Sequence, residues 1–494
     1  NAVKKELYLC SDINNSVPVF FSRKGDNIFL SSHELSLAKI LHAKPYKNGV
    51  AQSIYLGSTW NRATRFEEIE KTRPAEIIVF HEDRSTVSEN YWSPEDEQRW
   101  TDNLDDTIEK WGGLLENTIV SYRQADNKGS MIADITAGED ARLIVAQCWA
   151  QGIPFKAHVT GRDNETDVRI AREAAEHCGF DLMVRSRHEV TPEMLSEKLN
   201  EIVLVRDGYQ ELFKACTEYA TQSLSPIDDF NNIKLGGLPG GEAFRGSYYL
   251  RGKTIFPSIH GKLDLQFFTK MKFLLDYIPS LIEEKNGMFF HSTVELVEKA
   301  LSQVSLFPLG TQIDHLLRTF QTCNIGLIYK NPLYLPFAAR NMTKSIYQLN
   351  PKYKKRGLMT RSYTELLFPC LARRRTQNNI PTIRRTLFRL PLFLPEYYSD
   401  VKKIFNGLTS RLLKWRKSNK WYYNTDVNNH VLQFLIKNRP YSDWFENPNN
   451  MLSAYLYDDK LLSDIFKSAM NGRCKNPAIL GRILNFEIAL RAIQ

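Results

Sequence analysis

The stretch that most constrains this chain runs Met131-Ile132-Ala133-Asp134-Ile135-Thr136-Ala137-Gly138-Glu139-Asp140-Ala141-Arg142. A short apolar run ends in small residues and passes at once into an amphipathic segment carrying Leu143, Ile144, Val145, Cys148 and Trp149. That order predicts a strand, a tight turn and a helix start. Main-chain N–H groups of such a turn converge with the positive end of the helix dipole, which suits a phosphate or pyrophosphate. Gly138 permits positive φ and close approach of backbone to a ligand. Asp140 sits where a carboxylate could hold a metal ion bridging phosphate oxygens. An ordinary strand-to-helix connection would draw on the same small residues, with Asp140 as a favourable first-turn charge.

The sequence that follows repeats the alternation. Pro154–Val159 predicts a second strand, Thr160-Gly161-Arg162-Asp163-Asn164 a loop, and Thr166–Cys178 a helix on Val168, Ile170, Ala171, Ala174 and Ala175. Asp181–Val184 reads as a third strand, Pro192–Leu204 and Asp207–Thr221 as helices, and Asn232–Leu235 as a fourth strand. Strands alternating with helices of this length give an α/β fold with a parallel sheet. Its ligands bind beyond the carboxyl ends of the strands, where Thr136–Arg142 and Thr160–Arg162 both fall. His158, beside the second of these, could touch a ligand or serve only as a hydrogen-bonded strand residue. After the fourth strand comes Gly236-Gly237-Leu238-Pro239-Gly240-Gly241-Glu242-Ala243-Phe244. Five glycines and prolines in its first six residues suit the close approach of a ligand or a crossing backbone, or a plain long loop.

Ahead of the organising stretch, residues 1–105 read as β-rich. Glu6–Leu9, Val17–Phe21 and Asn27–Leu30, separated by Asn14-Asn15 and Gly25-Asp26, predict a meander. His33–Leu41 carries a helical pattern and Ala75–Phe80 a further strand. From Trp100 to Arg123 a helical period runs through Leu104, Ile108, Trp111, Leu114 and Leu115. Beyond residue 260 the spacing of Phe267, Phe268, Met271, Phe273, Leu274 and Tyr277 predicts helices around a shared apolar centre. Three segments result: 1–105, 106–260 and 261–494.

A chain of 494 residues exceeds one typical core, so two or three domains are expected. No apolar run reaches the length of a membrane span and no signal peptide opens the chain, so no membrane partner is expected. Seven cysteines, scattered and without a CxxC pair, predict reduced thiols, a cytoplasmic location and no structural zinc. The net charge of +9 is concentrated between Lys352 and Lys420, densest at Arg373-Arg374-Arg375. Such a surface serves nucleic acid, an acidic peptide or polyphosphate chemistry, or only a solvated face. No nucleic-acid reading motif accompanies it, so a nucleic-acid partner is not expected.

Three separated patterns now coincide. Thr136-Ala137-Gly138-Glu139-Asp140-Ala141 resembles the SGGxDS pyrophosphate loop of asparagine synthetase-type enzymes. Gly237–Phe244 resembles that family's GxGxDELF loop, and Asn164-Glu165-Thr166-Asp167 with Ala171, Ala174 and Ala175 is similar to its acidic-then-alanine helix. Cys10–Ser32, with Asp12 before a turn and Ser31-Ser32 after a strand, resembles the second half of the amino-terminal glutaminase-like domain. The segment from Phe66-Glu67-Glu68-Ile69 to Tyr91-Trp92 is similar to its closing strands. The resemblance covers most of the chain in the correct order. It implies a partial Ntn-type β-rich domain over 1–105, lacking its nucleophile. A PP-loop, adenine nucleotide α-hydrolase-like domain over 106–260 and its helical extension over 261–494 would follow.

It also implies chemistry. Family members bind ATP, convert a carboxylate to an acyl-adenylate with release of pyrophosphate, and let an amine attack to form an amide. Thr136 would give a hydroxyl to phosphate, the amides of Ala137, Gly138 and Ala141 would complete the cradle, and Gly237 would belong to the second loop. Val159 to Gly161 would face the adenine. Asp140 would be one Mg²⁺ ligand, the ion and loop together stabilising the leaving pyrophosphate. The departures are specific. Ala141 replaces the second loop serine, Gly241 stands where a second Mg²⁺ carboxylate is expected, and adjacent Glu242 is kept. Counted from Pro369, the family's Arg-x-Lys pair falls on Arg375 and Gln377, so its lysine is lost. Arg375 or its neighbours could supply charge to the intermediate, but arginine cannot donate a proton near neutral pH. The first residue is Asn1 rather than a cysteine nucleophile. The amine would then belong to the substrate, as in members that close β-lactam or lasso-peptide rings. The expectation is an ATP-dependent amide-forming enzyme acting on a peptide or small-metabolite carboxylate, with a precursor peptide or protein as a further partner. The alternative is a degenerate scaffold that binds a partner.

Overall fold

The computed structural model describes residues 6–245 and 333–494. Excepted are 60–61, 94–95, 101–102, 126–130, 187–189, 206, 224–232, 355–356, 378, 385, 396–397, 399–424, 473 and 475–476. The aromatic helical spacing from Phe267 to Tyr277 and part of the basic stretch lie outside the described residues.

Up to Asn90 the described chain forms β1 (Leu7–Cys10), β2 (Phe20–Lys24), β3 (Asn27–Ser31), α1 (Glu34–Leu41), α2 (Lys47–Leu56), β4 (Glu70–Lys71), β5 (Glu76–Phe80) and β6 (Thr86–Asn90). They make two antiparallel three-stranded sheets, ordered β1-β5-β6 and β3-β2-β4. The hairpin β2–β3 turns at Gly25-Asp26, with Lys24 opposite Asn27 and Gly25 at φ 59°. Glycine at the first central position suits this two-residue turn. The expected meander stops there. β1 pairs with β5, Leu7 opposite Phe80 and Cys10 opposite Ile77. The segment between β1 and β2 is shaped by Asp12, whose carboxylate accepts the N–H groups of Asn14 and Ser16, rather than by a hairpin. Leu9, Phe21, Ile78 and Phe80 close a small core between the sheets.

Then come α3 (Leu104–Ala125), β7 (Met131–Asp134), α4 (Glu139–Ala150), β8 (Phe155–Thr160), α5 (Thr166–Cys178), β9 (Leu182–Arg185), α6 (Pro192–Leu204), α7 (Leu212–Ser223), β10 (Lys234–Leu235), α8 (Gly240–Ala243) and β11 (Leu333–Tyr334). The five strands form one parallel sheet in the order β11-β10-β7-β8-β9. The α/β class is therefore as expected. α6 begins where the sequence places it, with Thr191 accepting the Met194 N–H and proline at the first helical position. α7 begins later than expected. Asp207 is spent on α1, accepting the N–H groups of Glu34 and Leu35, and Glu211 is the residue that caps α7.

The rest is helical: α9 (Arg340–Gln348), α10 (Pro351–Lys354), α11 (Leu358–Leu367), α12 (Pro369–Arg373), α13 (Thr425–Lys437), α14 (Ser442–Glu446), α15 (Asp459–Met470) and α16 (Pro477–Ile493). These helices divide between two cores. One surrounds the parallel sheet with α3, α4, α5 and α9 to α12. The other joins α1, α2, α6 and α7 to α13 through α16. Cys178 at the end of α5 and Cys370 in α12 form a disulfide, with Cα atoms 5.8 Å apart. The expectation of reduced thiols therefore fails for this pair. The two cysteines are 192 residues apart, and only the packing of α12 on α5 reveals the pairing. Among the described residues no helix is long and apolar enough to cross a membrane.

Candidate functional site at the sheet reversal

Strand order positions the site. β8 and β9 lie to one side of β7, β10 and β11 to the other, so the winding reverses between β7 and β10. The loops after those two strands meet at this reversal, the place where open α/β sheets bind ligands. The small-residue loop before α4 and the glycine-rich loop after β10 both lie there. Gly237 lies against the first turn of α4: a Cβ on it would sit 2.7 Å from the Ala141 nitrogen and 3.1 Å from the Asp140 carbonyl carbon. A Cβ on Gly240 would sit 2.9 Å from both Asp140 and Phe337. The second loop is thus built for close approach, and part of that approach is to α4 itself.

α4 is capped by Gly138 at φ −76° and ψ 158°, with no side-chain cap for the first-turn amides. The positive φ expected of Gly138 is not used; its missing side chain instead clears Thr136 Oγ1, 3.0 Å from where a Cβ would be. Thr136 Oγ1 accepts the Gly138 N–H at 3.0 Å, and Ala137 N–H donates to Asp167 at 2.9 Å. The Ala137 carbonyl accepts the Gln377 N–H at 3.1 Å, so Gln377, where the resemblance would place a lysine, lies beside the loop.

Asp140 is held by Arg245 in a two-point pair, Nε–Oδ1 2.9 Å and Nη2–Oδ2 2.6 Å. Glu139 is held likewise by Arg361, at 2.9 and 2.5 Å, with both side chains buried. Buried Arg142 donates to the carbonyls of Leu371, Arg374 and Arg375, fastening that segment to α4. Burial pulls the Arg142 guanidinium down to about 10, against the opposing charges of Glu139 and Glu173. Sequence reasoning singled out none of these three arginines. Their partners are remote in the chain, and an arginine without a charged immediate neighbour in sequence reads as surface charge. Arg375, proposed for the intermediate, instead pairs with Glu173 of α5 at 2.7 Å and is half exposed. Val159 is buried in the apolar face of the sheet, and Gly161 abuts Val168 of α5 and its N-cap residue Glu165. Glu242 falls in α8, and its side chain is outside the described residues.

One face of the sheet is charged, although parallel sheets are ordinarily apolar on both. Asp134 lies opposite His158 and Thr160 opposite Arg185. His158 Nδ1 is 2.6 Å from Asp134 and its Nε2 is 3.3 Å from Thr160 Oγ1, while Lys234 reaches Asp134 at 3.3 Å. Burial lowers the His158 pKa more than the Asp134 hydrogen bond raises it, so the imidazole is neutral near pH 7. Burial pushes the Asp134 carboxyl up, but His158 and Lys234 together hold it below its ordinary value. A neutral imidazole oriented by a carboxylate can accept a proton.

Gly237 rests directly on the first turn of α4, a Cβ on it clashing at 2.7 Å with the Ala141 nitrogen, so only bare backbone fits beside that amide. The donor set does not suit Mg²⁺. For the metal, both Asp140 oxygens are taken by Arg245 and Gly241 offers no carboxylate. Among the described residues no group of three His, Cys, Asp or Glu side chains is placed to hold an ion. No protein-family model and no curated protein matches this chain.

Proposed function

We propose that this protein binds an adenine nucleotide between the β7 and β10 loops and activates a carboxylate as its acyl-adenylate, which a substrate amine converts to an amide. The observation that supports this best is the meeting of the Thr136–Gly138 turn, the glycine-rich loop after β10 and a helix start without a side-chain cap where the sheet winding reverses. In the first step a carboxylate oxygen attacks the α-phosphorus and pyrophosphate leaves. The α4 amides stabilise the charge that gathers on it. Arg142 keeps the segment carrying Arg375 and Gln377 against the loop. In the second step the amine attacks the acyl carbon and AMP leaves, the amine's proton passing to solvent. The acyl donor is a peptide or a small metabolite.

The test is to incubate the protein with ATP and a library of carboxylates and amines and to quantify AMP and pyrophosphate. Carboxylate-dependent AMP supports the proposal; none across the library counts against it. A second reading has its own observation: Arg375 is turned to Glu173, the lysine is absent, and the Ala137 and Gly138 amides are satisfied internally. On that reading the protein is a nucleotide-binding scaffold for a partner protein, and ATP raises its thermal stability without AMP formation.

A further inference from the structure

We infer that Arg245 takes the place of a divalent cation at Asp140, so that nucleotide binding at this reversal is independent of Mg²⁺. The inference rests on the nucleotide reading above and specifies which cation serves it. Its basis is the pairing of positions 241 and 245. A Cβ at Gly241 would lie 2.6 Å from Arg245 Nη2 and 2.9 Å from Asp140 Oδ2. Any side chain there, a second carboxylate included, would force the guanidinium or the Asp140 carboxylate to shift. Glycine at 241 and arginine at 245 therefore form one device: the first removes a metal ligand and makes room, and the second fills the room with a cation.

The two cations are not equivalent. A divalent ion bound to one carboxylate leaves a net positive charge, whereas the guanidinium only neutralises Asp140. In exchange the planar guanidinium offers donors in fixed directions, suited to phosphate oxygens. With both Asp140 oxygens engaged by a cation at 2.9 and 2.6 Å, a metal ion would have to bind against the guanidinium's charge or break the pair. Glu139 offers no substitute, since Arg361 holds both of its oxygens.

The experiment uses the full chain. ATP affinity is measured by calorimetry in excess EDTA and again in excess Mg²⁺, for wild type, Arg245→Ala and Arg245→Lys. Mn²⁺ binding is followed by electron paramagnetic resonance without nucleotide, for wild type and for Gly241→Asp combined with Arg245→Ala. Wild type is expected to bind ATP with the same affinity in both buffers. Arg245→Ala is expected to lose about tenfold or more in EDTA, the worth of a lost charge-assisted contact, with Arg245→Lys between. The double variant is expected to gain a Mn²⁺ site that wild type lacks. ATP binding by wild type only in Mg²⁺, or a wild-type Mn²⁺ site lost in Asp140→Asn, overturns the inference and leaves the nucleotide reading standing. Absence of ATP binding in both buffers overturns that reading and the inference with it. Should Arg245→Ala fail to fold, the wild-type buffer comparison and Arg245→Lys decide.

Discussion

Removing Arg361 tests whether the floor of the candidate site depends on a buried charge pair. Its Nε and Nη2 reach the two Glu139 oxygens at 2.9 and 2.5 Å, with side-chain exposures of 3% and 4%. The pair ties α11 to the first turn of α4, and Gly357 closes over it, a Cβ there falling 3.1 Å from Glu139 Oε2. Arg361→Met keeps apolar bulk but leaves Glu139 charged in a dry place, which costs about 3–5 kcal/mol. At roughly 2–4 °C per kcal/mol for a domain of this size, the sheet unit should melt about 10 °C lower. Adding Glu139→Gln removes the stranded charge, so the double variant should recover much of the loss, with a coupling of about 2–3 kcal/mol in the cycle. Urea unfolding, with hydrogen exchange of α4 and α11 peptides, reads this directly. If the single substitution costs under about 1 kcal/mol, or the second restores nothing, the pair is not the buried constraint described.

Three further outcomes follow from single residues. Burial raises Glu211 from 4.5 to about 7 despite the two N–H groups it accepts. Its folded pKa lies above its unfolded one, so its contribution is full below pH 4.5 and is lost as pH rises through 7, about 3 kcal/mol in all. Glu211→Gln should flatten that part of the urea-midpoint profile, and parallel profiles would refute the assignment. Gly112→Ala in α3 gains about 1 kcal/mol of helix propensity. However, it drives a Cβ to 2.4 Å from the Tyr363 ring, which is packed edge-on against Trp111. Overpacking of about 1–3 kcal/mol should make the net effect a lower melting temperature, and a higher one would contradict it. Gly237→Ala puts a methyl against the Ala141 nitrogen and should weaken ATP by about tenfold, the worth of one lost hydrogen bond to a charged ligand. Calorimetry showing unchanged affinity in a folded variant would count against the cradle.

Most of what the sequence conveyed was periodicity and turn chemistry. β7, β8, β9 and their helices, the Gly25-Asp26 hairpin and the start of α6 all stand where local patterns place them, because each is specified within a dozen residues. The errors have one origin. Asp207, read as the start of a helix, caps α1, and β1, read as part of a meander, pairs with β5. In each case a remote partner outbid the local preference.

The candidate site divides along the same line. The two small-residue loops were legible, since a backbone that must be approached closely admits no side chain, and that requirement is written in the residue itself. Arginines 142, 245 and 361 were not, because a cation's role depends on which carboxylate or carbonyl faces it. Composition likewise could not pair Cys178 with Cys370 across 192 residues. Local pattern along the chain suffices for the alternating α/β order and for two loops of small residues. That those loops meet where the winding reverses, and that Asp140 is held by a guanidinium, comes from folding in three dimensions. Charge pairing is a property of distance in space, and the order of residues along the chain does not contain it.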